Sequence, residues 1–112
     1  MSNPSKRKGT SAESAVVAWL QAAGFVHAER RALAGVNDRG DIAGLPGVVV
    51  EVKNCKAFSP AQWCKELEAE IANAAASTGV VIAKRPGTTD VDRWYAVMPA
   101  RLWLDLIRED ER

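Results

Sequence analysis

The 112-residue chain is predicted to be an α/β protein, a mixed five-stranded sheet flanked by helices in the order α-β-β-β-α-β-β-α. Three observations predict this. Val48 to Lys53 is a valine run broken only by Glu51 before its terminal lysine, which suits a central strand. An amphipathic stretch follows from Ser59, and then a second short apolar run, Val80 to Ala83. Strand, helix and strand in that order make a crossover unit, which favours right-handed parallel pairing. The other apolar runs are short and bounded by Gly and Pro, as turns require.

Taken in order, residues 1–9 are polar and basic and read as a flexible basic arm, leaving 10–112 as one domain. Thr10-Ser11-Ala12-Glu13 fits a capping box, with Thr10 as N-cap and Glu13 at N3. Ala12, Val16, Trp19, Leu20 and Ala23 form the apolar stripe of this first helix, and Gly24 ends it. Glu13 falls beside Leu20, at the edge of the stripe, so a cap and a place at the core boundary are compatible roles for it. Phe25 to Leu33 reads as the first strand, with Phe25 and His27 on one side and no catalytic role for the histidine. A loop rich in turn formers covers Gly35 to Gly40. Asp41 to Gly44 is a short second strand, Leu45-Pro46-Gly47 a turn, and Val48 to Lys53 the third strand.

The second helix starts with Ser59 as cap, Pro60 at N1 and Gln62 at N3. Trp63, Leu67, Ile71, Ala74 and Ala75 face inward, while Lys65, Glu66, Glu68 and Glu70 face water. Gly79 precedes the fourth strand, Val80 to Ala83, and Arg85-Pro86-Gly87 turns the chain. Trp94 to Met98 is the fifth strand. Pro99 opens a last helix with Leu102, Trp103, Leu106 and Ile107 inward. The four tryptophans read as core or dimer contacts rather than a base-stacking platform.

Fifteen Lys and Arg oppose 14 Asp and Glu, for a net charge of +1, yet the charges are segregated. Lys6, Arg7 and Lys8 lead the chain, Arg30, Arg31 and Arg39 follow, and Lys53, Lys56, Lys84 and Arg85 come later, while acids gather around Glu66 to Glu70 and in the tail. That distribution permits a basic face despite the balanced total. No run reaches membrane-spanning length and the first residues carry no signal-type apolar segment, so the expected location is the cytoplasm. Cys55 and Cys64 have no metal-ligand spacing and read as reduced and structural.

Charged residues inside a buried strand must be paired or bind something. Glu51 and Lys53 are two residues apart and so share a face of the third strand, and Asp41 opens the strand before it. Carboxylate oxygens bind Mg2+ or Mn2+, which promote attack on a phosphodiester, and a nearby ammonium stabilises the charge that builds up. For Asp41 to face Glu51 the turn must hold an odd number of residues, such as Leu45-Pro46-Gly47, or the strand must bulge. A two-residue Pro46-Gly47 turn would put Asp41 opposite Val52 and separate the acids. As an isolated residue Asp41 also fits a simple turn acid.

Glu13 in a first helix, then Gly40-Asp41, then Glu51-Val52-Lys53, resembles the PD-(D/E)XK nuclease superfamily, and most closely its archaeal-type and phage Holliday junction resolvases. The likeness covers most of the chain, including Arg30-Arg31, the loop from Asn37 to Ile42 and the closing strand and helix around Val97 to Leu102. Glycine stands where the family has proline before the aspartate, and alanine (Ala32 or Ala34) where it often has serine. The resemblance implies a restriction-endonuclease-like core in which Glu13, Asp41 and Glu51 bind Mg2+, with Mn2+ as substitute, and Lys53 is catalytic. It also implies a homodimer that makes paired cuts in branched or junction DNA. The arm and the loop after the first strand would contact the DNA backbone, making Lys6, Arg7, Lys8, Arg30, Arg31, Arg39 and Lys56 the candidate DNA contacts. Another endonuclease of the superfamily, or a non-catalytic DNA-binding module on the same scaffold, are the alternatives.

Overall fold

The computed structural model describes residues 4–32 and 37–110, with the side chains of 11–32 and 37–109. Its five-stranded mixed sheet comprises β1 (Glu29–Arg30), β2 (Ile42–Ala43), β3 (Val48–Lys53), β4 (Thr78–Ala83) and β5 (Tyr95–Val97), side by side in chain order. Helices α1 (Pro4–Ala22), α2 (Pro60–Ala74) and α3 (Ala100–Asp110) surround it. β3 and β4 are parallel, from Val48 opposite Thr78 to Lys53 opposite Ala83, with α2 as their connection. The other neighbours are antiparallel. The α/β class and mixed sheet are as expected; the order differs by a 3-10 turn at Val91–Arg93 between β4 and β5.

Alternation along β3 divides the interior into two layers, because successive side chains leave opposite faces of a strand. Val50 packs with Ala12, Val16 and Leu20 of α1 and with Ile42, Ile82 and Trp94. Val49 packs on the other face with Trp63 and Leu67 of α2 and with Val81 and Ala83. Glu51 and Lys53 therefore emerge on the α2 face, and Val52 packs toward α1. Gly79 lets α2 lie close to β4: a Cβ there would come within 2.9 Å of Val49 O and 3.0 Å of Leu67 Cδ1.

Several expected boundaries shift. α1 begins at Pro4, not Thr10, so the backbone of residues 4–9 is helical where a loose arm was expected. Proline suits a helix's first turn, and lysine and arginine propagate it. Glu13 is thus an interior residue of α1 and has no capping duty. The side chains of Lys6, Arg7, Lys8 and Thr10 lie outside the described residues, as do residues 1–3 and Leu33, Ala34 and Gly35. The first strand shrinks to Glu29–Arg30, because Phe25 to Ala28 form a turn in which Ala28 N–H donates to Phe25 O at 3.1 Å. Ser59 precedes α2 without a side-chain capping bond, and Pro60 alone marks its start. Among the described residues of α3 only Leu102 joins a core cluster; Trp103, Leu106 and Ile107 are exposed, against the inward face expected of them.

Candidate metal centre

Asp41 and Glu51 meet because of the turn between β2 and β3. Ile42 pairs with Val50, which leaves Leu45, Pro46 and Gly47 as an odd-numbered loop, and Asp41 lies just outside the paired residues with its carboxylate hydrogen-bonded to Glu51. Asp41 N–H donates to Val50 O at 2.9 Å, and its Oδ2 accepts from Val52 N–H at 2.7 Å, so both backbone and carboxylate are tied to β3. Gly40 makes this approach possible. Its φ is +97°, and a Cβ would come within 2.8 Å of Val49 Cγ1 and 3.0 Å of Val50 O, so only glycine fits without displacement. Asp38 Oδ1 accepts from Gly40 N–H at 2.9 Å, and Asp38 O accepts from Asn73 Nδ2 of α2 at 2.9 Å, pinning the loop to the helix.

The second half of the site comes from α2. Residues two apart on a strand are separated by about 6.6 Å and residues four apart on a helix by about 6 Å. Glu51 and Lys53 on β3 therefore match Glu70 and Glu66 on the antiparallel α2. Lys53 Nζ lies 3.2 Å from Glu66 Oε2 and 3.8 Å from Glu51 Oε2. Glu70 closes on Glu51, and with Asp38 they present three carboxylate oxygens within 4.8 Å of one another, a group that could hold a metal ion. Glu51 and Glu70 are buried, at 6% and 4% exposed. Glu51 Oε1 and Glu70 Oε2 are shielded from solvent and have no hydrogen-bond partner.

Such burial is costly for anions, and the acidities record it. Burial, a hydrogen bond shared with Asp41, and the charges of Asp41 and Glu70 push the Glu51 carboxyl up to about 10, against the opposing pull of Lys53. Burial and the charge of Asp38 push Glu70 up to about 7, with Glu51 and Lys53 opposing. Burial alone would lower the Lys53 ammonium, but Glu51 and Glu66 outweigh it and the net shift is upward. Lys53 is therefore held as a cation. Glu13 is raised by burial and by Asp41, although Arg30 Nε donates to its Oε2 at 3.1 Å and pulls the other way.

The structure thus gathers Asp41, Glu51 and Lys53, and leaves Glu13 beside Asp41 with Arg30 as its ion-pair partner. Of the acids expected to hold metal, Glu51 belongs to the three-carboxylate group, Asp41 borders it, and Glu13 stands next to Asp41, paired with Arg30. Glu70 corrects the expectation of a water-facing residue, and neither it nor Asp38 was foreseen as part of the site. The spacing Trp63, Leu67, Glu70, Ala74 follows i, i+4, i+7, i+11, the inward stripe of a helix, and that was the available signal. The expected DNA contacts are dispersed. Arg30 is committed to Glu13; Arg31 and Arg39 line a cavity with His27 at the start of β3; Lys56 lines another at its end. Among the described residues, no helix is long and apolar enough to cross a membrane. Comparison of the chain with protein-family models, curated proteins and solved structures returned no match.

Proposed function

We propose that this protein is a metal-dependent DNA endonuclease with a PD-(D/E)XK, restriction-endonuclease-like core, a Holliday junction resolvase acting as a homodimer. The observation that carries the reading is the grouping of Asp38, Glu51 and Glu70, with buried oxygens of Glu51 and Glu70 that have no partner, and with Lys53 on the same face. An all-oxygen, anionic donor set fits a hard divalent cation, Mg2+ or Mn2+. Glu51, Glu70 and Asp38 would hold it, with Asp41 at their side, and it would supply Lewis acidity toward the phosphodiester. Lys53, kept protonated by Glu51 and Glu66, offers an ammonium to the negative charge that grows on the phosphate during cleavage. Asp41 bridges β2 and β3 and fixes the position of the Glu51 carboxylate. Glu13 and Arg30 flank this group from α1 and β1.

A four-way junction has near two-fold symmetry, so paired cuts call for two copies of one site related by a dyad. The exposed apolar residues of α3, Trp103, Leu106 and Ile107, support a contact between copies. The test is cleavage of a mobile four-way junction beside a linear duplex of matched sequence, with Mg2+ and with EDTA. The expected result is Mg2+-dependent cutting of the junction alone, lost in Lys53→Ala while junction binding is retained. Equal cutting of the linear duplex removes the resolvase assignment and leaves the nuclease. Binding without cutting in either Mg2+ or Mn2+ overturns the enzymatic reading.

A further inference from the structure

Beside the carboxylates, where β3 and β4 end, lies a cavity of about 480 Å3. Strand register sets its floor. Lys53 pairs with Ala83 and Ala83 with Tyr95, so the three form a row across β3, β4 and β5. Adjacent strands stand about 4.8 Å apart, which puts Lys53 and Tyr95 about 10 Å from each other with only a methyl group between them. Phe58 supplies a wall. Its ring meets Trp63 edge to face at 5.0 Å and 81°, and Tyr95 at 6.1 Å and 78°. Trp63 is buried and anchors this arrangement, whereas Phe58 and Tyr95 are 57% and 44% exposed and show open ring surface. Lys56 and Lys84 complete the lining, and neither forms an ion pair with a described carboxylate. No acidic side chain lines the cavity among the described residues.

Open aromatic rings bordered by ammonium groups suit a ligand with a flat aromatic body and an anionic flank. We propose that this cavity receives one unpaired nucleotide of the DNA substrate, its base stacked on Tyr95 with the Phe58 ring, at 78° to it, bordering the stack, and its flanking phosphates on Lys56 and Lys84. The inference rests on the nuclease reading, because Lys53 belongs both to the cavity and to the carboxylate group where the scissile phosphate would lie. The volume falls within the roughly 300–1,000 Å3 of ligand sites. A base inside a duplex is stacked on both faces and cannot enter, so the cavity selects DNA with a nucleotide free to leave the stack. Every base has a π face, so the cavity imposes little sequence preference.

The test is fluorescence anisotropy of the full chain in EDTA at fixed salt. The probes are a labelled duplex with one unpaired thymidine, the same duplex with an abasic sugar in its place, and the fully paired duplex. Wild type is expected to bind the thymidine probe about tenfold more tightly than the abasic probe, the effect of one base–aromatic stack. Tyr95→Ala and Phe58→Ala should bring that ratio near one and leave binding of the paired duplex unchanged, with thermal melting confirming that both variants fold. If Phe58→Ala disturbs Trp63, Tyr95→Ala decides alone. A ratio of one in wild type, or a ratio that survives in Tyr95→Ala, overturns the proposal. Cutting of the same probes with Mg2+ separates the two readings. Cleavage with no thymidine preference keeps the nuclease and removes the nucleotide site, and a Tyr95-dependent preference without cleavage does the reverse.

Discussion

Glu70 faces Glu51 from α2 with one oxygen shielded and unpartnered, the arrangement of a ligand and not of a structural salt bridge. Without a cation the Glu70 carboxylate is buried beside the charge of Asp38 at a cost in hydration, so Glu70→Gln should stabilise the metal-free protein, raising its Tm by a few degrees, and weaken divalent-ion binding at least about tenfold. Melting with and without Mn2+ checks both halves. The acidities also set a sign for pH. The folded state keeps protons on Glu51 and Glu70 that the unfolded chain releases near 4.5, so stability falls as pH rises from there toward about 7 for Glu70 and about 10 for Glu51. In EDTA the Tm should drop as pH rises from 5.5 to 8, and saturating Mn2+ should flatten the slope. Glu51 and Lys53 were legible in the sequence because a strand's period of two puts them on one face, and Asp41 because the turn brings the start of β2 back beside β3. Glu70 was not, because residue type suggested water where helical spacing placed it inside.

At the scale of elements, the site depends on how the 38–41 loop and α2 meet β3. Gly40→Ala would force a Cβ against Val49 and Val50 O at positive φ, a cost of about 1–3 kcal/mol. It should also displace Asp41, so a loss in urea midpoint should come with weaker metal binding. Leu67 is fully buried under β3 and β4. Leu67→Ala should cost about 2–5 kcal/mol by opening a cavity, measurable by chemical denaturation. The long apolar run of β3 and the Pro60 helix start were readable directly. The boundaries of α1 and β1 were not, since Gly9 does not stop a helix already propagating from Pro4, and Phe25 turns out toward solvent. α3 misled for another reason: its apolar stripe is real, but among the described residues only Leu102 packs into a core cluster.

For the molecule as a whole, α1 and α2 cover opposite faces of one sheet, and the carboxylates lie where β3 emerges between them. A ligand that binds only the folded chain stabilises it by mass action. At one hundred times its Kd that amounts to about 2.7 kcal/mol, or roughly 10 °C in Tm for a domain of this size. Ca2+, which seats on carboxylates but supports phosphodiester cleavage poorly, should stabilise as well without cutting.

Whether the buried carboxylates form a divalent-metal site is decided by calorimetric titration of Mn2+ at pH 7, repeated in buffers of different ionisation enthalpy. The protons held by Glu51 and Glu70 must leave when the ion arrives. The expected result is saturable binding with release of between about one and two protons per ion, both abolished in Glu51→Gln. Wild type that takes up no Mn2+, or a Glu51→Gln variant that binds it equally well, would overturn the metal site.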